Sequence, residues 1–134
     1  MIGFNTVETI ASSIENRFRV IRYGLVGGGV KWQKVSAFEG EVIGLQFGHK
    51  EEEVLVVARD TSMQVIVSLM DVDDGDVEWT YKLDFKYDKA PMLIDYKEGS
   101  SQRHHSLATK ASDGGFNIAR LKINTDNDKL QDIK

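Results

Sequence analysis

The chain of 134 residues has no cysteine, one proline and only three histidines. Without cysteine there is no disulfide framework, thiolate nucleophile or thiolate metal ligand. A reducing, cytoplasmic setting is compatible with this and is the expectation. No apolar run approaches the ~20 residues of a membrane-spanning helix. The first residues, Met1 to Phe4, lack the basic n-region and apolar h-region of a signal peptide. A basic excess is also missing: 17 Lys and Arg face 21 Asp and Glu, a net charge of -4. Binding to a nucleic-acid backbone needs a basic footprint. Neither nucleic acid nor membrane is therefore expected as a partner.

What is present is an ordinary globular composition, 41% hydrophobic and 28% charged. A chain of this length forms one domain, residues 1–134, and builds a core without staples. The strongest local signal is Val77–Phe85. Val77, Trp79, Tyr81, Leu83 and Phe85 alternate with Glu78, Thr80, Lys82 and Asp84. Period two is the signature of a strand with one buried face. The odd positions are predicted to face the core and the even ones water, as in an antiparallel sheet. Similar runs predict strands at Val30–Ser36, Glu41–Phe47, Glu53–Ala58, Met63–Met70, Met92–Lys97, His105–Ala111 and Phe116–Ile123. Asp74-Gly75 and Asp113-Gly114 between apolar runs are hairpin signals. Glu39-Gly40 also reads as a turn. Pro91 stands just before a strand, where no ladder donor is lost.

The N-terminal region, residues 1–24, reads differently. Asn5 with Glu8 resembles a capping box, and Val7, Ile10, Ala11, Ile14 and Phe18 recur at helical spacing. A helix from Thr6 to Arg17 is expected. Gly27-Gly28-Gly29 ends regular structure before the β region, residues 30–123. The polar tail, 124–134, is read as a short docked helix or a frayed end. The fold class is thus mostly β: an antiparallel barrel or strongly bent sheet of about eight strands with one N-terminal helix. In Glu53–Ala58 both strand faces are apolar. The second face therefore needs a cover: the helix, a partner or a second subunit. A homodimer is the expectation.

Residues that carry chemistry are few. Asp71, Asp73, Asp74 and Asp76 resemble a calcium loop, but Gly75 falls one place early and the twelfth position is Lys82. Asn124, Asp126 and Asp128 start that pattern better, but Lys129 replaces its glycine. Solvated turns account for both clusters. His104 and His105 are adjacent on a strand and point to opposite faces, so they do not share a metal. The triple glycine lacks the Gly-Lys-Ser/Thr ending of a phosphate loop. Arg17, Arg19 and Arg22 complement a helix C-terminus, or grip an anion at a barrel mouth. Trp32, Trp79, Tyr81, Phe85 and Tyr96 either line a ligand cavity or fill a solid core.

Three segments resemble small bacterial lipocalin-like domains. They are Gly29-Val30-Lys31-Trp32, Tyr81-Lys82-Leu83-Asp84, and Lys89-Ala90-Pro91-Met92-Leu93-Ile94-Asp95-Tyr96. The resemblance implies a lipocalin-like barrel capped by the N-terminal helix, with Arg120 of the last strand over Trp32. The leading functional expectation is non-enzymatic binding of a small, partly apolar molecule. Trp32, Trp79, Tyr81, Tyr96 and Arg120 are its candidate site residues. The rivals are an interaction or homo-oligomerisation module with a solid core, and an enzyme drawing an acid or base from Asp84, Asp95, His104 or His105. No motif names a cofactor or a metal.

Overall fold

The computed structural model describes residues 2–10, 14–24, 29–87, 92–99, 102–111, 113–124 and 129–133. Pro91, Gly27, Gly28, Asp126 and Asp128 lie outside the described residues. Among the described residues, ten strands form two antiparallel sheets. The first has the order β1 (Ile2–Ile10), β2 (Ile14–Tyr23), β3 (Val30–Phe47), β4 (Glu53–Asp60), β5 (Gln64–Asp71) and β6 (Val77–Lys86). The second has the order β10 (Leu130–Ile133), β9 (Phe116–Asn124), β8 (Gln102–Lys110) and β7 (Met92–Glu98). Neither sheet closes on itself, so the mostly-β antiparallel expectation holds, while the closed barrel and the single sheet of about eight strands are replaced by two sheets. No helix of the described residues is long and apolar enough to cross a membrane.

The expected N-terminal helix is instead the β1–β2 hairpin, in register from Ile2 opposite Arg22 to Ile10 opposite Ile14. Ile10, Ile14 and Phe18 are spaced by four, which periods of 2 and 3.6 both place on one side. The tie is broken by β-branched residues throughout the segment, and by the marginal stability of so short a helix. From Arg17 to Val20 the burial of β2 has a period of two: Phe18 and Val20 are buried, and Arg17 and Arg19, which alternate with them, are only partly covered. Ile21, next along the strand, is buried as well. The tail likewise forms a strand, β10, paired with β9.

β3 runs without the turn expected at Glu39-Gly40. Its first half pairs with β2 and its second half with β4. A register shift falls between Val42 and Gly44, and Gly40 packs against the Arg59 carbonyl, where a side chain would collide with backbone. Glycine and a bulge let one strand turn a corner between layers. The bend lays β2 over β4. Phe18 and Val20 then pack with Val54, Val56, Ala58 and Met70, flanked by Trp32, Phe38, Val42 and Leu45. The opposite face of β4 and β5 presents Leu55, Val57, Val65, Val67 and Leu69 to Leu107, Ala119, Leu121 and Ile123 of the second sheet. Both faces of β4 are therefore covered within one chain. The apolar second face behind the homodimer expectation is met by β2.

In β6 the even positions are all exposed, as expected. The odd positions divide: Leu83 is buried, Trp79 and Phe85 are half-buried, but Val77 and Tyr81 are about half exposed. β6 is the outer strand of its sheet and has a neighbour on one side only, so its pattern is right but its burial incomplete. Both Asp-Gly pairs do turn adjacent strands. Gly75 and Gly114 have φ of 79° and 92°, values that favour glycine.

Candidate functional site

The bend in β3 leaves a cleft of about 290 Å³ between the β2–β3 layer and the middle strands. Its floor is Val20, Val56 and Met70. Phe18 and Phe38 form one wall, with ring centroids 5.3 Å apart and planes at 73°. Such edge-to-face pairs hold rigid apolar surface. Val35 and Val77 stand at the rim, 52% and 51% exposed. Polar groups are few and placed to one side. The Ser68 and Thr80 hydroxyls are 2.9 Å apart. The Ser36 hydroxyl accepts from the Phe18 amide at 3.2 Å and donates to the Phe38 carbonyl at 2.7 Å. The Lys34 ammonium lies 4.0 Å from Asp76 and is about half exposed. Size and lining fit a small apolar body with one polar end.

A second constellation joins the two sheets. Glu53 opens β4, and Arg103 and His105 alternate on the inner face of β8. Arg103 and His105 are fully buried, and Glu53 is 7% exposed. Arg103 donates from Nε to Glu53 Oε1 at 2.9 Å, and a second guanidinium nitrogen lies 2.7 Å from the same oxygen. His105 Nε2 is 3.1 Å from Glu53 Oε2. Arg103 also donates to the Asn124 carbonyl at 3.1 Å. Burial pushes the Glu53 carboxyl up, but hydrogen bonds from His105 and Arg103 and the nearby guanidinium charge outweigh it. They hold Glu53 below the usual carboxylate range. The Tyr96 ring lies 4.8 Å from the His105 ring. Burial and the charges of Glu53 and Glu98 push the Tyr96 phenol up to about 12. Its hydroxyl donates to Glu98 at 3.2 Å, and Glu98 also pairs with His49. That pairing with His49 is the main reason the Glu98 carboxyl is lowered. This cluster fixes the register between sheets, and its charges are spent on one another.

The five residues expected to form a site are not gathered. Trp32 packs in the cluster beneath β2 and donates from Nε1 to the Val72 carbonyl at 2.8 Å. Trp79 packs against the other core, and Tyr81 is 46% exposed on the same strand. Tyr96 belongs to the second sheet beside His105. Arg120 is exposed on the outer face of β9. It is Arg103 that is buried. Asp84 and Asp95 are exposed, and His104 is half-buried on the face opposite to His105. The aspartates at 71–76 are occupied as turn formers: Asp71 accepts from the Asp73 amide at 2.8 Å and Asp74 from the Asp76 amide at 2.9 Å. No group of three metal-capable side chains occurs among the described residues. The strand predicted at His105–Ala111 leaves out Arg103, whereas β8 starts at Gln102; the alternation Arg103-x-His105-x-Leu107 is the signal in the sequence that places Arg103 on the inner face. Nothing in the sequence marks Phe18, Lys34 and Met70 as neighbours. Comparison with protein-family models, curated proteins and solved structures returns no match.

Proposed function

We propose that the protein binds a small, partly apolar molecule without transforming it, in the cleft between the β2–β3 layer and the middle strands. The observation that carries this reading is a cleft walled by Phe18, Val20, Phe38, Val56 and Met70, with Lys34, Ser68 and Thr80 to one side. The apolar body lies on the aromatic wall, and Lys34 orients a polar or anionic end. The lipocalin-like segments are in keeping with the role, with the cleft taking the place of a barrel interior. A cytoplasmic location goes with the lack of cysteine. The test is titration with anilinonaphthalene sulfonate, an apolar anion, while near-ultraviolet circular dichroism reports native packing. Saturable binding that Val35→Asp and Val77→Asp weaken is expected, because both substitutions change the rim and spare the core. Absence of binding, or binding indifferent to both, overturns the proposal. The rival reading, an interaction module up to a homodimer, is favoured by the exposed Leu93, Phe116 and Ile118 of the second sheet.

A further inference from the structure

The cleft between the β2–β3 layer and the middle strands is lopsided in its hydrogen-bonding capacity. Among the described residues, Lys34 is the one ionisable side chain in its lining, and no carboxylate or amide side chain is present there. The Ser36 hydroxyl is spent on the Phe38 carbonyl and the Phe18 amide. Ser68 and Thr80 carry two hydroxyl protons; one lies between them, and the other is left to donate to a ligand. Lys34 has three N–H donors and no acceptor. Asp76 is 4.0 Å from the ammonium, too far for a hydrogen bond, and its side chain is 70% exposed. The neighbouring cation of β6, Lys82, is occupied by Asp60 at 3.1 Å. Lys34 is therefore held only by a loose, solvated pair. The volume is equally restrictive. A cleft of about 290 Å³ has room for about ten methylene-sized groups at ~30 Å³ each, the share of a water in the liquid.

On the reading of the cleft as a ligand site, we propose that its ligand is a monocarboxylate of about eight to ten carbons. The chain lies on Phe18, Val20, Val56 and Met70, and the carboxylate takes the Lys34 ammonium and the free hydroxyl proton of the Ser68–Thr80 pair. A carboxylate only accepts, which matches a lining that mainly donates. Bonds of the N⁺–H···O⁻ kind close to about 2.7–2.9 Å. A bound carboxylate thus comes nearer to Lys34 than Asp76, at 4.0 Å, does. An amine of the same length sets a second cation beside Lys34, with no carboxylate in the lining to meet it. An alcohol makes one hydrogen bond and no charge contact. A dicarboxylate buries its second charge among Val20, Val56 and Met70, where no donor waits for it.

The experiment is calorimetric titration of the full chain with octanoate, octanol, octylamine and octanedioate. Octanoate should bind tightest, about fivefold over octanol, the upper range for an exposed charge pair. Removing one methylene should weaken it about fourfold. Lengthening the chain beyond about ten carbons should add nothing, because the cleft is full and the extra carbons stay in water. Lys34→Met should abolish the preference for octanoate over octanol. Asp76→Asn removes the competing carboxylate and should tighten octanoate alone. Both side chains are about half exposed or more, and near-ultraviolet circular dichroism shows that the variants fold. The carboxylate is refuted if octanoate binds no tighter than octanol, or if its affinity ignores both charge substitutions. Affinity that keeps rising to fourteen carbons refutes the size. If anilinonaphthalene sulfonate still binds and Val35→Asp still weakens it, those results sink the ligand class and leave the cleft as a binding site. If neither the dye nor any member of the series binds, both fail.

Discussion

Replacing Glu53 by Met should cost the fold about 3–5 kcal/mol. That is the range for removing one partner of a buried ion pair, because the other charge stays buried and uncompensated. The geometry puts this site in that class. Arg103 is fully buried with its Nε 2.9 Å from Glu53, and Glu53 is also the acceptor facing His105. Arg103→Met should cost less, because the carboxylate keeps His105 and sits at the more exposed end of the cluster. The double variant should cost well under the sum, since a buried pair exchanged for apolar residues of similar volume is often close to neutral. A coupling of roughly 1–3 kcal/mol is expected from groups in contact. Urea unfolding followed by tryptophan fluorescence measures all three, with the slope checked for constancy. If the two losses add within about 0.5 kcal/mol, the groups act independently and the reasoning fails.

Acid should destabilise the protein through the same residue. The folded pKa of Glu53 lies below its ordinary value, so its stabilisation is complete above the unfolded pKa of ~4.3 and is lost as pH falls through the folded pKa. Stability measured from pH 6 downward should drop in that window for the native chain and more shallowly for Glu53→Gln. Leu55→Lys and Val56→Lys should both unfold the domain, because opposite faces of β4 are each buried within one chain; a folded, monomeric Val56→Lys seen by circular dichroism and sedimentation would refute that packing. Gly75→Ala should cost more than about 1 kcal/mol, since φ is 79° and the new carbon would lie 2.7 Å from the Trp32 ring. Gly114→Ala, with φ of 92° and nothing within 4 Å, should cost less in the same denaturation assay.

Much of the β architecture is local and so was readable. Alternation places Glu78, Thr80, Lys82 and Asp84 outward in β6, and Asp-Gly pairs turn the chain where positive φ is required. The double-sided apolar run Val54–Ala58 also announced that β4 would be covered twice. Its cover was not legible. A spacing of four from Ile10 to Phe18 suits helix and strand alike; β-branched residues tilt the segment toward strand, and the packing of Phe18 and Val20 on β4 adds a contact that the local sequence does not show. The corner in β3 depends on Gly40 meeting the Arg59 carbonyl, a partner 19 residues away in sequence. The same holds for the sites. Glu53 and Arg103 are 50 residues apart, so the chain shows two ordinary charged residues, and only the packing of one sheet on the other makes them a buried pair. The cleft likewise exists only because one strand bends, which brings Phe18, Lys34 and Met70 from three strands to one place. Periodicity reports which face of an element is apolar; it carries no information on which other element that face will meet.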